Sequence, residues 1–112
     1  NIKDINGKTL IAGQVNVSGM SQLRQLADQW KEKQLSDVLV LATATADGKV
    51  NLITAISSDA VKEGYKAGDL IKAIAPKVGG GGGGRPDLAQ AGGKKLEGIQ
   101  EALKAAEDWL NK

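Results

Sequence analysis

Val78-Gly79-Gly80-Gly81-Gly82-Gly83-Gly84-Arg85-Pro86-Asp87-Leu88-Ala89-Gln90-Ala91-Gly92-Gly93 holds eight of the fifteen glycines of this 112-residue chain, six of them unbroken. Glycine loses more conformational freedom on folding than any other residue, so such a run inside a folded unit serves backbone shapes or close approaches that a Cβ forbids. A flexible linker is the competing reading, but linkers mix in serine and separate regions of different composition. Here Arg85-Pro86-Asp87 and a second glycine pair follow at once. The run therefore reads as an ordered loop.

The chain around it is 41% hydrophobic and poor in aromatics, which is enough for one domain, residues 1–112, with an aliphatic core. It has no Cys and no His. Those absences exclude disulfides, thiolate or imidazole metal sites, and Ser-His-Asp or Cys-His catalysis. The net charge of +2 is uneven: +1 over residues 1–58, +3 over 59–95 and −2 over 96–112. The small positive excess thus sits on the glycine segment, a weak pointer to a polyanion. The sequence holds no apolar run of about 18 residues and no charged n-region followed by an apolar h-region, so neither a membrane span nor a signal peptide is read in it, and the expectation is a cytoplasmic protein with no membrane partner. Asn1-Ile2-Lys3-Asp4-Ile5 begins without Met and reads as a strand already under way, which predicts a fragment of a longer chain.

In order, Asn6-Gly7 predicts a type I′ hairpin between strands at 2–6 and 9–17. Leu23, Leu26, Ala27 and Trp30 share one face of a helix over about 22–34, with Ser18 or Ser21 as cap. Asp37 to Thr45 is apolar on both faces at its start, as a central strand is, and Asp47-Gly48 turns it into a returning strand over about 49–57. A short turn or helical piece follows from Ser58 to Gly64. Leu70, Ile71, Ile74 and Val78 are the buried face of a helix over about 66–78, which Pro76 kinks or ends near Ala75. Leu88 to Gly92 reads as a short strand. Leu96, Ile99, Leu103, Ala106 and Leu110 stripe a last helix over about 94–111, which packs on the sheet or on a second copy of itself. The fold expected is α/β: a two-layer sandwich with a mixed or antiparallel sheet of about five strands and three to four helices.

A G-x-G-x-x-G passes through Gly79, Gly81 and Gly84, but it follows a helix rather than a strand, so the dinucleotide reading fails its context. A P-loop needs Lys and Ser or Thr where Arg85 and Pro86 stand. Carboxylate pairs such as Asp28 and Glu32 read as solvated helix faces.

Gly83 to Gly93, Gly-Gly-Arg-Pro-Asp-Leu-Ala-Gln-Ala-Gly-Gly, resembles the C-terminal domain of alanyl-tRNA synthetases, a module also found behind DHH phosphoesterases and called the DHH-associated domain. Lys66-Ala67-Gly68-Asp69-Leu70-Ile71 and Ala75-Pro76-Lys77-Val78-Gly79-Gly80 extend the resemblance over nearly the whole chain. It implies a non-catalytic module that holds the outer corner of alanine tRNA, supports aminoacylation and editing beside the other domains of the synthetase, and in some members dimerises. It implies no cofactor here, with ATP, magnesium and zinc in other domains of the parent. DHH phosphoesterases commonly place a His where this chain has Arg85, which favours the synthetase branch. The alternatives are the single-stranded nucleic-acid-binding domain of a DHH phosphoesterase and a structural dimerisation module.

The candidate nucleic-acid-binding residues are Lys77, Gly81, Gly82, Gly83, Gly84, Arg85, Gln90, Lys94 and Lys95. Unshielded N–H groups of Gly81 to Gly84 can form an anion-binding concavity. Arg85 suits a phosphate or an unpaired base, Gln90 suits a sugar hydroxyl, and the three lysines flank the loop. The competing reading brings the glycines close to their own sheet, pairs Arg85 with Asp87, and leaves Gln90 to loop carbonyls.

Overall fold

Residues 2–112 are described by a computed structural model. Asn6 (φ 55°) and Gly7 (φ 86°) both lie in the left-handed region, as a type I′ turn requires, and fold β1 (Ile2–Ile5) back onto β2 (Lys8–Gln14). The chain then crosses through α1 (Met20–Lys33) to β3 (Val38–Ala44), which lies parallel to β2. A crossover is needed because parallel neighbours cannot be joined by a tight turn. Thr9 and Asp37 fix where the two strands begin. The Thr9 N–H and hydroxyl donate to Asp37 Oδ2 at 2.9 and 3.0 Å, and the Asp37 N–H donates back to the threonine hydroxyl oxygen at 2.9 Å.

The second expected hairpin is also present. β4 (Val50–Ile56) returns antiparallel to β3 around Gly48 (φ 81°), with the Thr45 N–H donating to the Lys49 carbonyl at 2.8 Å. Thr45 also donates to the Asp47 carboxylate, which holds that carboxyl below its ordinary value. After β4 come α2 (Ser58–Lys62), capped by Ser57, and α3 (Ala67–Ile74). Pro76 then forces the anticipated break: the α-helix stops at Ile74 and tightens into a 3-10 turn over Ala75–Val78.

The glycine run departs from its expected form. It is not a loop: Gly81–Gly84 is strand β5, paired antiparallel with β6 (Leu88–Gly93). The sheet accordingly has six strands rather than about five, in the order β1-β2-β3-β4-β6-β5, with the glycines at one edge. Space explains the composition at alternate positions. A Cβ on Gly80 would stand 1.7 Å from the Gly92 carbonyl oxygen, one on Gly82 2.1 Å from that of Gln90, and one on Gly84 2.6 Å from Ala89 Cα. At Gly81 and Gly83 a Cβ would meet nothing within 4 Å. Backbone of β5 is thus pressed against backbone of β6 along one side of the strand only.

A last 3-10 turn (Leu96–Gly98) leads into α4 (Ile99–Leu110). The alternation of β3 divides the core in two. Val38, Val40 and Ala42 face α3 and α4, where Leu70, Ile71, Ile74, Val78, Ile99, Ala102, Ala106 and Leu110 are buried. Leu39 and Leu41, with Ile53 and Ala55 of β4, face Leu23, Ala27 and Trp30 of α1. The mixed α/β class is borne out, but the expected two layers become three, because α1 covers the face of the sheet opposite α3 and α4. The two buried threonines are satisfied. Thr43 donates to the Val17 carbonyl at 3.0 Å, and Thr54 donates to Ala67 O at 2.9 Å, tying the start of α3 to the sheet.

Two local expectations are corrected. Neither Ser18 nor Ser21 caps α1: Gly19 is the cap residue, and the Gln22 side chain instead accepts from the Ser18 N–H at 2.6 Å. Leu96 is 42% exposed, because it lies in the 3-10 turn before α4 and not on the buried stripe.

The one-sided approach of β5 makes a direct test. Gly82→Ala must push the two strands apart and should cost about 1–3 kcal/mol in urea unfolding, the usual penalty of overpacking. Gly83→Ala, whose Cβ meets nothing, should be neutral or up to about 1 kcal/mol stabilising. Equal effects at the two positions would contradict the one-sided packing.

Candidate nucleic-acid interface

The β5–β6 turn presents the candidate arginine on a fixed backbone. The Arg85 N–H donates to Leu88 O at 2.9 Å, the Ile56 N–H to Asp87 O at 3.0 Å, and the Ala67 N–H to Pro86 O at 2.7 Å. Three elements, β6, β4 and the start of α3, therefore hold three consecutive residues of the turn, Arg85, Pro86 and Asp87.

Antiparallel pairing also decides which glycine N–H groups are free. Given the bond from Arg85 to Leu88 and the register Gly83↔Gln90 and Gly81↔Gly92, the N–H groups of Gly81 and Gly83 turn toward β6. Those of Gly82 and Gly84 turn to the outer edge. The expected concavity of successive N–H groups is corrected on this ground: a strand alternates its donors, whereas a nest converges them.

Directly paired residues of neighbouring strands share a face. Gln90 pairs with Ile53, which packs under α1, so Gln90 and Gly83 face the α1 side. There they line a hollow of about 200 Å³ together with Gly84, Arg85, Leu88, Ala89 and Arg24 of α1. A smaller hollow of about 40 Å³ shares Arg85 and Leu88 with it and is also lined by Asp28, Lys31 and Asp87.

The structure brings together Gly83, Gly84, Arg85 and Gln90 from the candidate set. Gly81 and Gly82 extend the same strand. Lys77, Lys94 and Lys95 are exposed at its other end, where the Lys95 Cβ lies 3.6 Å from the position of a Cβ on Gly79. The four-residue strand separates the two ends by roughly 13 Å. The glycines divide by position: Gly80, Gly82 and Gly84 press on the protein's own sheet, whereas a Cβ on Gly81 or Gly83 would meet nothing within 4 Å.

Arg85 Nε lies 3.3 Å from Asp87 Oδ1, so the anticipated pair is present, and Lys31 Nζ approaches Asp87 Oδ2 at 3.9 Å. The side chains of Arg85, Asp87 and Lys31 keep 66%, 42% and 70% of their surface in solvent, which leaves the pairs weak and exchangeable. Arg24 was not singled out in the sequence, where nothing in its helical position links it to Arg85. Among the described residues no group of three or more Asp, Glu, Cys or His side chains could hold a metal ion, and no helix is long and apolar enough to cross a membrane. A larger hollow, about 360 Å³, lies at the other end of α1 beside Thr9, Asp37 and Asp59, where Thr9 and Asp37 already satisfy each other.

The exposure of the Asp87 pairs predicts that Asp87→Asn changes the unfolding free energy by less than about 1 kcal/mol. A loss above about 2 kcal/mol in denaturant titration would show that the ion pairs, and not the backbone bonds, hold the turn.

Comparison with known proteins places the family and the fold. The DHHA1 domain family matches residues 7–112. The chain is 99% identical over 112 residues to an alanine-tRNA ligase of Ligilactobacillus salivarius and 71% identical over 109 residues to that of Lactiplantibacillus plantarum. These matches cover 100% and 97% of the chain, which spans only 13% and 12% of those relatives. Among solved structures, the C-Ala domain of Aquifex aeolicus alanyl-tRNA synthetase superposes with a TM-score of 0.89 at 29% identity, covering 100% of this chain and 99% of that one. A DHH-domain member of the s1p family of ribosomal proteins shares the fold alone, with a TM-score of 0.65 at 19% identity over 100% of this chain and 28% of the other. On the match over residues 7–112, the chain belongs to the DHHA1 domain family, and within it resembles the version found in alanine-tRNA ligases.

Proposed function

We propose that this domain binds tRNA, in an alanine-tRNA ligase, through the β5–β6 hairpin. The observation that carries the reading is an exposed edge strand without side chains, ended by an arginine on a rigid turn. Such an edge lets a sugar-phosphate chain approach the peptide backbone, and a guanidinium beside it supplies a bidentate phosphate contact. Exchange of Asp87 for phosphate costs little, because the pair it breaks is solvated. Lys77, Lys94 and Lys95 add charge at the far end of the strand, and Gln90 offers a donor and an acceptor to a sugar hydroxyl.

In this reading the domain holds the outer corner of alanine tRNA in the cytoplasm for the aminoacylation and editing centres. ATP, magnesium and zinc serve other parts of the ligase. Relatives that are alanine-tRNA ligases support this over a phosphoesterase role. The dimerisation reading placed its contact on the last helix, whose apolar stripe of Ile99, Leu103, Ala106 and Leu110 is instead spent inside the chain.

Titration of alanine tRNA against wild type and Arg85→Ala over a salt series tests the proposal. The variant should bind about tenfold more weakly, the worth of one charge-assisted bond. The slope of log affinity against log salt should fall by about 0.7–0.9. An unchanged affinity and slope would overturn it.

A further inference from the structure

We propose that Arg24 of α1 is a second phosphate anchor, so that the nucleic-acid strand crosses the α1 side of the hairpin over the hollow that Arg24 and Arg85 both line. The inference rests on the binding role proposed above and assigns that role a face and a further residue.

Three observations carry it. Arg24, Arg85 and Gln90 line one hollow of about 200 Å³. A backbone segment laid there would meet two guanidinium forks, each able to take two phosphate oxygens. Arg24 is also exposed and uncommitted: among the described residues it forms no ion pair, not even with Asp28 one turn along the helix. The nearby Asp87 is already approached by Arg85 and Lys31.

The third observation concerns Gly83, which faces this side. A Cβ there would meet nothing, and the backbone is not in the left-handed region, so neither packing nor conformation asks for glycine. Glycine weakens a strand unless something must come close. On the opposite face that something is visible. A Cβ on Gly68 would lie 3.1 Å from Gly84 O, so α3 already occupies it. On the α1 side the close approach is left to a partner, and two arginines border the space.

The test is binding of alanine tRNA to the 112-residue chain, in the same salt series, by wild type, Arg24→Ala, Arg24→Lys, Arg85→Ala and Gly83→Val. Arg24 is exposed, so its variants should unfold like wild type; circular dichroism melts confirm this before binding is measured. The expected result is a five- to tenfold loss with Arg24→Ala and a salt slope lower by about 0.7–0.9, while Arg24→Lys keeps the slope and loses part of the affinity. Gly83→Val should weaken binding without lowering stability. Weakened binding by Arg85→Ala with Arg24→Ala and Gly83→Val unchanged would overturn the inference and leave the hairpin's role standing. Absence of binding by wild type would overturn both.

Discussion

The approach of β5 to β6, closer than any side chain on the facing positions would permit, is the constraint on which the rest of the domain depends. Because Gly80, Gly82 and Gly84 carry no Cβ, the edge strand can lie against the carbonyls of Gly92 and Gln90 and against Ala89. That closeness sets the position of the turn at Arg85 to Leu88. The turn in turn receives the first N–H of α3 and the last N–H of β4. α3 can then bring Leu70, Ile71 and Ile74 over the sheet, where they meet α4. A side chain at any of the three positions would move an edge to which two other elements are tied.

On the proposed reading, the same strand separates structural from functional demand by its period of two. Positions that face α3 and β6 are glycine because the protein fills the space; positions that face α1 are glycine although the protein leaves it open. Charge follows the same division. Arg85 and Arg24 stand on the open side at the turn end, and Lys77, Lys94 and Lys95 gather at the other end. Asp87 lies between Arg85 and Lys31 without burying either, and a solvated pair is easily exchanged for a phosphate.

Much of the fold was legible in local chemistry. Asn6-Gly7 and Asp47-Gly48 specify their turns through residues that tolerate left-handed backbone, and the apolar period of α3, including its break at Pro76, follows from sterics. Features set by tertiary contact were not legible. Six glycines have no strand propensity of their own, and β5 forms only because β6 lies beside it. Leu96 kept the helical period yet falls in a 3-10 turn, and the serines near α1 lost the cap to Gly19. At the site, Arg85 and its pairing with Asp87 were readable because they are neighbours in sequence. Arg24 was not, because only the fold brings α1 beside the hairpin.

Backbone-amide NMR of the 11.6 kDa chain titrated with alanine tRNA examines the division of the glycine strand most directly. The account predicts perturbed signals at Arg24, Gly81, Gly83, Arg85 and Gln90, with the outer surface of α4 around Lys104 and Asp108 unaffected. Perturbation centred on α4, with the hairpin silent, would contradict it.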